Sequence, residues 1–392
     1  MKRVGLYLSV PPHGGGTFQY ASSILTAFRS LAGAGYHPVV AYAHPAWAGW
    51  LRCEHGGIEH HLVTNGLRDT IARSLLRAGV PAAGFRRSSL RLGGMEGQLH
   101  ALQCDLWIFP AQDYLSYSMP GPTIGTIHDL MHRHESRFPE VSVMGLYHRR
   151  EQHYRNMCSG ATAILVDSEL GKQHVLEAYP SCAARIHVLP YIAPSYIADN
   201  RIPDDFDNRY RLPACYLFYP AQFWRHKNHT RLVQALALAR ASVPDLSLVL
   251  AGSEKNSGRL VRSTVRRLGL SGSVSFLGYV PDEDIAELYR RSCGLVMPTF
   301  FGPTNIPPLE AMATGTPMAL SDIYAMREQS GDAAIYFDPY SIESISQAMV
   351  ALASSDDLRG RLIRQGAIRH RELSQASFDQ RLVSILLATL TP

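Results

Sequence analysis

Three stretches of this 392-residue chain combine residue types that can hold a phosphate-bearing ligand. YPAQFWRHKNH, at 219–229, sets Arg225 and Lys227 in a loop between an apolar run and a helical pattern. Two cations at a helix N-terminus favour a diphosphate, although solvated loop charges would read the same way. MPTFFGPTNIPPLEAMATGTPMALSD, at 297–322, is dense in Gly, Pro and Asn after a strand that ends at Thr299. Pro307-Pro308 prepares a helix start, and the spacing predicts Glu310 in the first turn. There Glu310 either complements the helix dipole or accepts hydrogen bonds from ribose hydroxyls, while N–H groups around Asn305 and Ile306 cradle phosphate. HGGGT, at 13–17, lets the backbone approach a ligand closely at a helix N-terminus; a plain strand-to-helix turn would carry the same glycines. It is not GxGxxG, and no clear acid ends the second strand, which disfavours a nicotinamide dehydrogenase.

Other chemistries find less support. His128, His132 and His134 could form half a metal site on one helix, but no HExxH accompanies them and Asp129 suits a structural role, so no metal is expected. Six scattered cysteines, with no CxxC pair, read as reduced thiols in the cytoplasm. A chain 46% apolar and 18% charged is not disordered. No run approaches the ~18 apolar residues of a membrane span, and MKRVGLYLSV, stopped by Pro11-Pro12, reads as a strand and not a signal peptide. The net charge of +5 suits an anionic partner such as a nucleotide, a lipid phosphate or a membrane surface. Without a block of five basic residues, nucleic acid is not expected.

Positioning these residues requires alternating strands and helices. Apolar runs at 4–10, 37–43, 106–110, 123–127 and 163–167 alternate with helical stretches, which predicts a parallel sheet covered on both faces. The polar, aperiodic segment 193–213 is expected to be a linker. A second series follows at 215–221, 246–252, 274–280, 294–299 and 317–322, and a helix is expected over 377–390. Two such α/β halves bind ligands beyond the carboxyl ends of their strands.

HGGGT, GTIHDLMHRHESRFPE (125–140), ILVDSELGKQHV (164–175), IHVLPYI (186–192), FWRHKNH, LVLAGS, SFLGYV and FGPTNIPPLEAMATGTP occur in one order over nearly the whole chain. In this the chain resembles a retaining family 4 glycosyltransferase of the GT-B fold, in the branch common among bacterial surface-polysaccharide enzymes. The resemblance implies two Rossmann-like doubly wound domains facing a central cleft: an acceptor domain over 1–195, onto which the C-terminal helix (377–392) crosses back, and a nucleotide-sugar donor domain over 196–376. It puts Lys227 at the diphosphate, Glu310 at the second glutamate of E-x7-E, on the ribose, and His128 in the acceptor-domain loop near the donor sugar. Gly15 and Gly16 match the glycine loop. Two positions depart from the pattern. The arginine five residues before the lysine is Gln222, for whose charge Arg225 is the candidate replacement. The first glutamate falls at Gly302, which leaves Thr304 or Asn305 to read the sugar.

The implied reaction transfers a mannose- or rhamnose-type sugar, with GDP-mannose favoured as donor, to a glycan or a lipid-diphosphate-linked acceptor. The departing phosphate oxygen takes the acceptor proton, so no carboxylate pair is required, unlike in ordinary glycosidases. No cofactor or metal is implied. DFD, at 205–207, matches the metal-binding DxD of the other transferase fold but falls in the expected linker. Two alternatives share the donor site: a sugar-nucleotide epimerase or hydrolase, and a non-catalytic nucleotide-sugar-binding subunit. Finally, residues 67–91 carry Arg68, Arg73, Arg77, Arg86, Arg87 and Arg91, with Leu67, Ile71, Leu75 and Ala78 at helical spacing. That segment is either an ordinary surface helix packed on the sheet or a patch resting on the anionic inner face of the membrane.

Overall fold

The apolar runs pair into two sheets, both parallel throughout. A computed structural model describes the chain apart from residues 13–14, 55–56, 78–79, 81–83, 87–93, 199–201 and 391–392. It divides into two units, Met1–Pro190 with Gln375–Pro392, and Tyr191–Ser374.

The first unit holds β1 (Lys2–Leu8), β2 (Tyr36–Tyr42), β3 (Glu59–Leu62), β4 (Leu106–Ile108), β5 (Thr123–Thr126), β6 (Ala163–Val166) and β7 (Ile186–Val188). Their spatial order is β3-β2-β1-β4-β5-β6-β7. β1 is central, with Leu6 in register with Val40 on one side and Ile108 on the other. Strands such as β6 are buried on every residue, as expected where helices cover both faces. The order reverses between β1 and β4, so the loops after these strands part there and open a ligand crevice. The last helix, Gln375–Leu390, returns to this unit by burying Phe378, Leu382, Ile385 and Leu386 along one face. The Phe378 ring meets Tyr20 edge-on at 6.2 Å, and Gln375 Nε2 donates to the Ser23 carbonyl at 3.3 Å.

In the second unit, β8 (Tyr216–Pro220), β9 (Ser247–Ala251), β10 (Val274–Gly278), β11 (Gly294–Met297), β12 (Met318–Ser321) and β13 (Ala334–Phe337) are ordered β10-β9-β8-β11-β12-β13. Here the reversal falls between β8 and β11. Phe218, Leu250, Val296 and Leu320 form the fully buried centre.

The described parts of the segment 193–213, residues 193–198 and 202–213, are not a linker. They pack onto the second unit through Ile197 and Phe206, both buried in its core. Arg209 and Tyr210 reach Asp284, each at 2.6 Å. Asp284, in the first turn of the helix Asp282–Arg290, is itself fully buried. The DFD acids serve ion pairs instead: Asp205 with Arg209 at 2.9 Å, and Asp207 with Arg291.

Candidate active site

The best-defined part of the site lies at the strand-order reversal of the second unit. After β8 the chain makes a single 3-10 turn, Arg225–Lys227, and Asn228 then takes a left-handed conformation (φ 61°) before the helix His229–Ala239. Asn228 fixes the turn by donating through Nδ2 to the carbonyls of Pro298 and Pro339, both at 2.9 Å. His226 stacks on Phe301 at 3.8 Å, and its carbonyl accepts from the Phe300 amide at 2.8 Å. So the loops after β8 and β11 are bonded together. Across this seam the Lys227 ammonium donates to Asn305 Oδ1 at 2.9 Å. Burial pushes the ammonium from its ordinary 10.5 down to about 8. It pairs with no carboxylate among the described residues.

Asn305 is the N-cap of the helix Ile306–Ala313, yet its backbone is already engaged. Its N–H donates to Gln329 Oε1 at 3.0 Å, and its carbonyl accepts from Gln329 Nε2 at 2.8 Å. The Asn305 amide is therefore not free for phosphate, and Pro307 and Pro308 carry no N–H. That leaves the Ile306 amide at the helix tip. The Asn305 side chain keeps a buried Nδ2 with no partner among the described residues. Gly302 (φ +112°) is shaped around it: a Cβ there would stand 2.8 Å from Asn305 Nδ2. Thus the missing first glutamate and the asparagine three residues on are one local arrangement. Thr304 is half-buried beside them.

Glu310 lies in the second turn of its helix, not the first, and only 4% of it is exposed. It does not serve the helix dipole. Its carboxylate accepts from the Tyr289 hydroxyl at 2.7 Å and from Tyr196. Burial raises its pKa, and the two hydroxyls oppose that shift. Two of an ionised carboxylate's four or so lone-pair positions remain. Nothing in the sequence pattern pointed to Tyr196, Tyr289 or Gln329, which lie far from the motif in the chain. Arg225 is exposed, and its amide donates to Asn256 Oδ1 at 2.9 Å. Gln222, bonded to the Trp224 indole at 2.9 Å, supplies no cation. Lys255, over the Trp224 ring at 5.3 Å, is a neighbouring charge that sequence reasoning missed.

The remaining expected residues fall in the first unit. Gly15 (φ 77°) precedes the helix Gly16–Leu31 as its N-cap, and among the described residues beyond its chain neighbours no atom lies within 4 Å of where its Cβ would stand. His13 and Gly14 lie outside the described residues. His128 follows β5, its ring edge-on to Tyr20 at 5.5 Å. Burial lowers it to about 4, so it is neutral at pH 7. His132 and His134 point elsewhere, to Glu151 at 3.3 Å and onto the His174 ring at 3.9 Å. Among the described residues, no three His, Cys, Asp or Glu side chains gather as metal ligands.

Residues 204–369 match the family model described as glycosyl transferases group 1. Solved structures share the fold over nearly all of the chain. Anabaena HepE in complex with UDP and glucose matches with a TM-score of 0.74 at 16% identity, covering 99% of this chain and all of that one. WaaG, a glycosyltransferase involved in lipopolysaccharide biosynthesis, matches at 0.68 and 16%, covering 97% and 99%. The solved structures show the GT-B fold over the chain, and the glycosyl transferases group 1 match over 204–369, with the relatives that follow, gives the class of the chain as a glycosyltransferase. Among its relatives, the O-antigen chain mannosyltransferase B of Escherichia coli is 27% identical over 67% of this chain and 72% of its own length. The mannosylfructose-phosphate synthase of Agrobacterium fabrum is 24% identical over 61% of this chain, which spans just 56% of it.

Proposed function

We propose that this chain is a retaining hexosyltransferase that moves a mannose-type hexose or 6-deoxyhexose from a nucleoside diphosphate sugar, GDP-mannose being favoured, to a glycan or lipid-diphosphate-linked acceptor of surface-polysaccharide synthesis. One observation carries the reading: the Lys227 ammonium, half-buried against Asn305 between the two crevice loops, has no carboxylate among the described residues to balance it. A desolvated cation of this kind gains a partner when an anion arrives. As the glycosidic bond breaks, the diphosphate gains negative charge, and a preorganised donor aimed at that charge is the largest contribution a site can make. Asn305 Nδ2, the Ile306 amide and exposed Arg225 extend the same anion-binding end, with Thr304 or Asn305 reading sugar hydroxyls. Glu310, oriented by its two tyrosines, accepts from the ribose. Neutral His128 and the Gly15–Gly16 helix end serve the donor by hydrogen bonds, not by full charge. The mannosyltransferase relatives favour mannose.

The test is a thermal-shift panel of GDP, UDP, ADP and dTDP. A nucleotide at 100-fold its Kd should stabilise the protein by about 2.7 kcal/mol, and the matching nucleotide sugar should then be consumed only with an acceptor present. No shift with any of the four would overturn the donor site. Activity is expected to survive EDTA, since Lys227 already meets the leaving charge. Loss on chelation with recovery in Mg²⁺ would reverse that point.

The membrane-facing part of the reading changes in detail. On the helix Leu67–Arg77 the buried residues are Asp69, Ala72 and Leu76, whereas Leu67 is 77% exposed and Ile71 50%. The expected stripe therefore faces outward. Arg86 leaves the patch, donating to the Gly160 and Gly121 carbonyls at 2.8 and 2.7 Å. The Arg77 side chain, Ala78, Arg87 and Arg91 lie outside the described residues. Leu67, Ile71 and Leu75 beside Arg68 form the surface that would rest on an anionic leaflet. Among the described residues no helix is long and apolar enough to cross a membrane.

A further inference from the structure

A cavity of about 370 Å³ lies wholly within the first unit, within the usual size range of small-molecule sites. Four elements line it: the helix Leu67–Arg77, the loop after β4, the short helix Leu115–Ser118 and the helix Leu146–Gly160. It reaches the point where strand order reverses, because Asp113 on its wall accepts from Ser9 Oγ, after β1, at 2.9 Å. Its charge is unbalanced. Arg150 is matched by Asp129 at 2.6 Å, and its Nε is buried without a partner among the described residues. Arg73 gives Nε to the Asp69 carbonyl at 3.3 Å, and Arg149 reaches the Met144 carbonyl at 3.4 Å. Neither pairs with a carboxylate among the described residues. Burial pushes the Asp113 carboxyl up to about 7, so at neutral pH it is half protonated and does not cancel two guanidinium charges. The hydroxyl of Tyr114 on the same wall is buried and has no partner among the described residues. Buried donors left unmatched are rare and call for an acceptor. Arginine forks match the oxygens of a phosphate, and Tyr114 and Leu76 add apolar lining.

We infer that this cavity holds the phosphate group of a phosphorylated sugar acceptor, gripped by Arg73 and Arg149. The inference rests on the transferase reading for the word acceptor, but its binding step stands apart from the donor.

Calorimetry on the full chain without nucleotide would use four probes: glucose 6-phosphate, glucose, glucuronate and inorganic phosphate. A fifth, a hexose joined to a lipid through diphosphate, would be presented in detergent micelles. Wild type should bind a phosphate-bearing sugar at least tenfold more tightly than glucose or glucuronate. Arg73→Gln with Arg149→Gln should remove that preference while GDP or UDP binding stays as in wild type, which also shows that the variant is folded. Binding of glucose 6-phosphate marks a free sugar phosphate as the source, and binding of the micellar probe alone marks the lipid carrier. An unchanged affinity in the double variant, glucuronate or inorganic phosphate held as tightly as the sugar phosphate, or no binding by either phosphorylated probe would overturn the inference. If no nucleotide binds while the sugar phosphate does, the donor reading fails and the cavity assignment survives.

Discussion

Lys227 ties nucleotide binding to pH in a direction opposite to its effect on folding. In the folded protein its proton is lost near 8, against an ordinary 10.5. Between those values the unfolded chain holds the proton more often, so this group favours folding increasingly as pH rises through that window. A diphosphate needs the cation, so its affinity should fall above about pH 8, by up to tenfold per unit. Calorimetric Kd values for the preferred nucleoside diphosphate between pH 7 and 9.5 would show the decline, and Lys227→Arg should flatten it, because arginine keeps its charge. A wild-type profile as flat as the variant's would dismiss the lysine. Lys227→Ala should lower kcat about a hundredfold or more, whereas Glu310→Ala should mainly weaken nucleotide binding, which is read by Kd. Gly302 offers a second residue-scale test. Gly302→Glu places a side chain at φ +112° against Asn305 and should destabilise by roughly 1–3 kcal/mol. Adding Asn305→Gly should recover part of that loss in thermal melts; an identical melt for single and double variants would show that the two positions are not coupled.

At the scale of elements, the strands and their alternation with helices were legible because β6, β9 and β11 are continuous apolar runs, buried on both faces. The segment 193–213 was not legible, because single side chains such as Tyr196, Phe206 and Tyr210 anchor it without any period. Lys227 and the Asn305 loop were found from their residue types. The Gln329 clamp on Asn305 and the tyrosines on Glu310 leave no local signal, since these partners come from helices and a turn distant in the chain. The helix Leu67–Arg77 shows the same limit: periodicity identified a stripe but not which stripe faces inward, and the second set, Asp69, Ala72 and Leu76, is the buried one. Its outward leucines make a direct prediction. Liposomes with anionic lipid should pellet wild type at low salt, and Leu67→Ser, Ile71→Ser and Leu75→Ser together should abolish pelleting with little change in melting temperature. Equal pelleting of both proteins would assign these residues no membrane role.

On the scale of the whole chain, the terminal helix belongs to the unit it joins last. Four of its side chains are buried, each worth roughly 1.5–3 kcal/mol, against a total stability of about 5–15 kcal/mol for a typical domain. Deleting 375–392 should unfold the first unit, seen as rapid proteolysis within 1–190. The second unit, which contains Lys227, Asn305 and Glu310, should still bind nucleotide. Loss of nucleotide binding in a truncated chain whose second unit still resists protease would show that this unit does not carry the donor site alone.

The same helix sets a schedule for synthesis. Its partner surface on the helix Gly16–Leu31 emerges from the ribosome early, but the residues that cover it follow only after the entire second unit. At about 5–20 residues per second, the delay over the stretch from Tyr20 to Phe378 is roughly 20 to 70 seconds. During it, Tyr20 and its neighbours have no cover from Phe378, and the first unit waits as an unfinished half on which a chaperone has time to act.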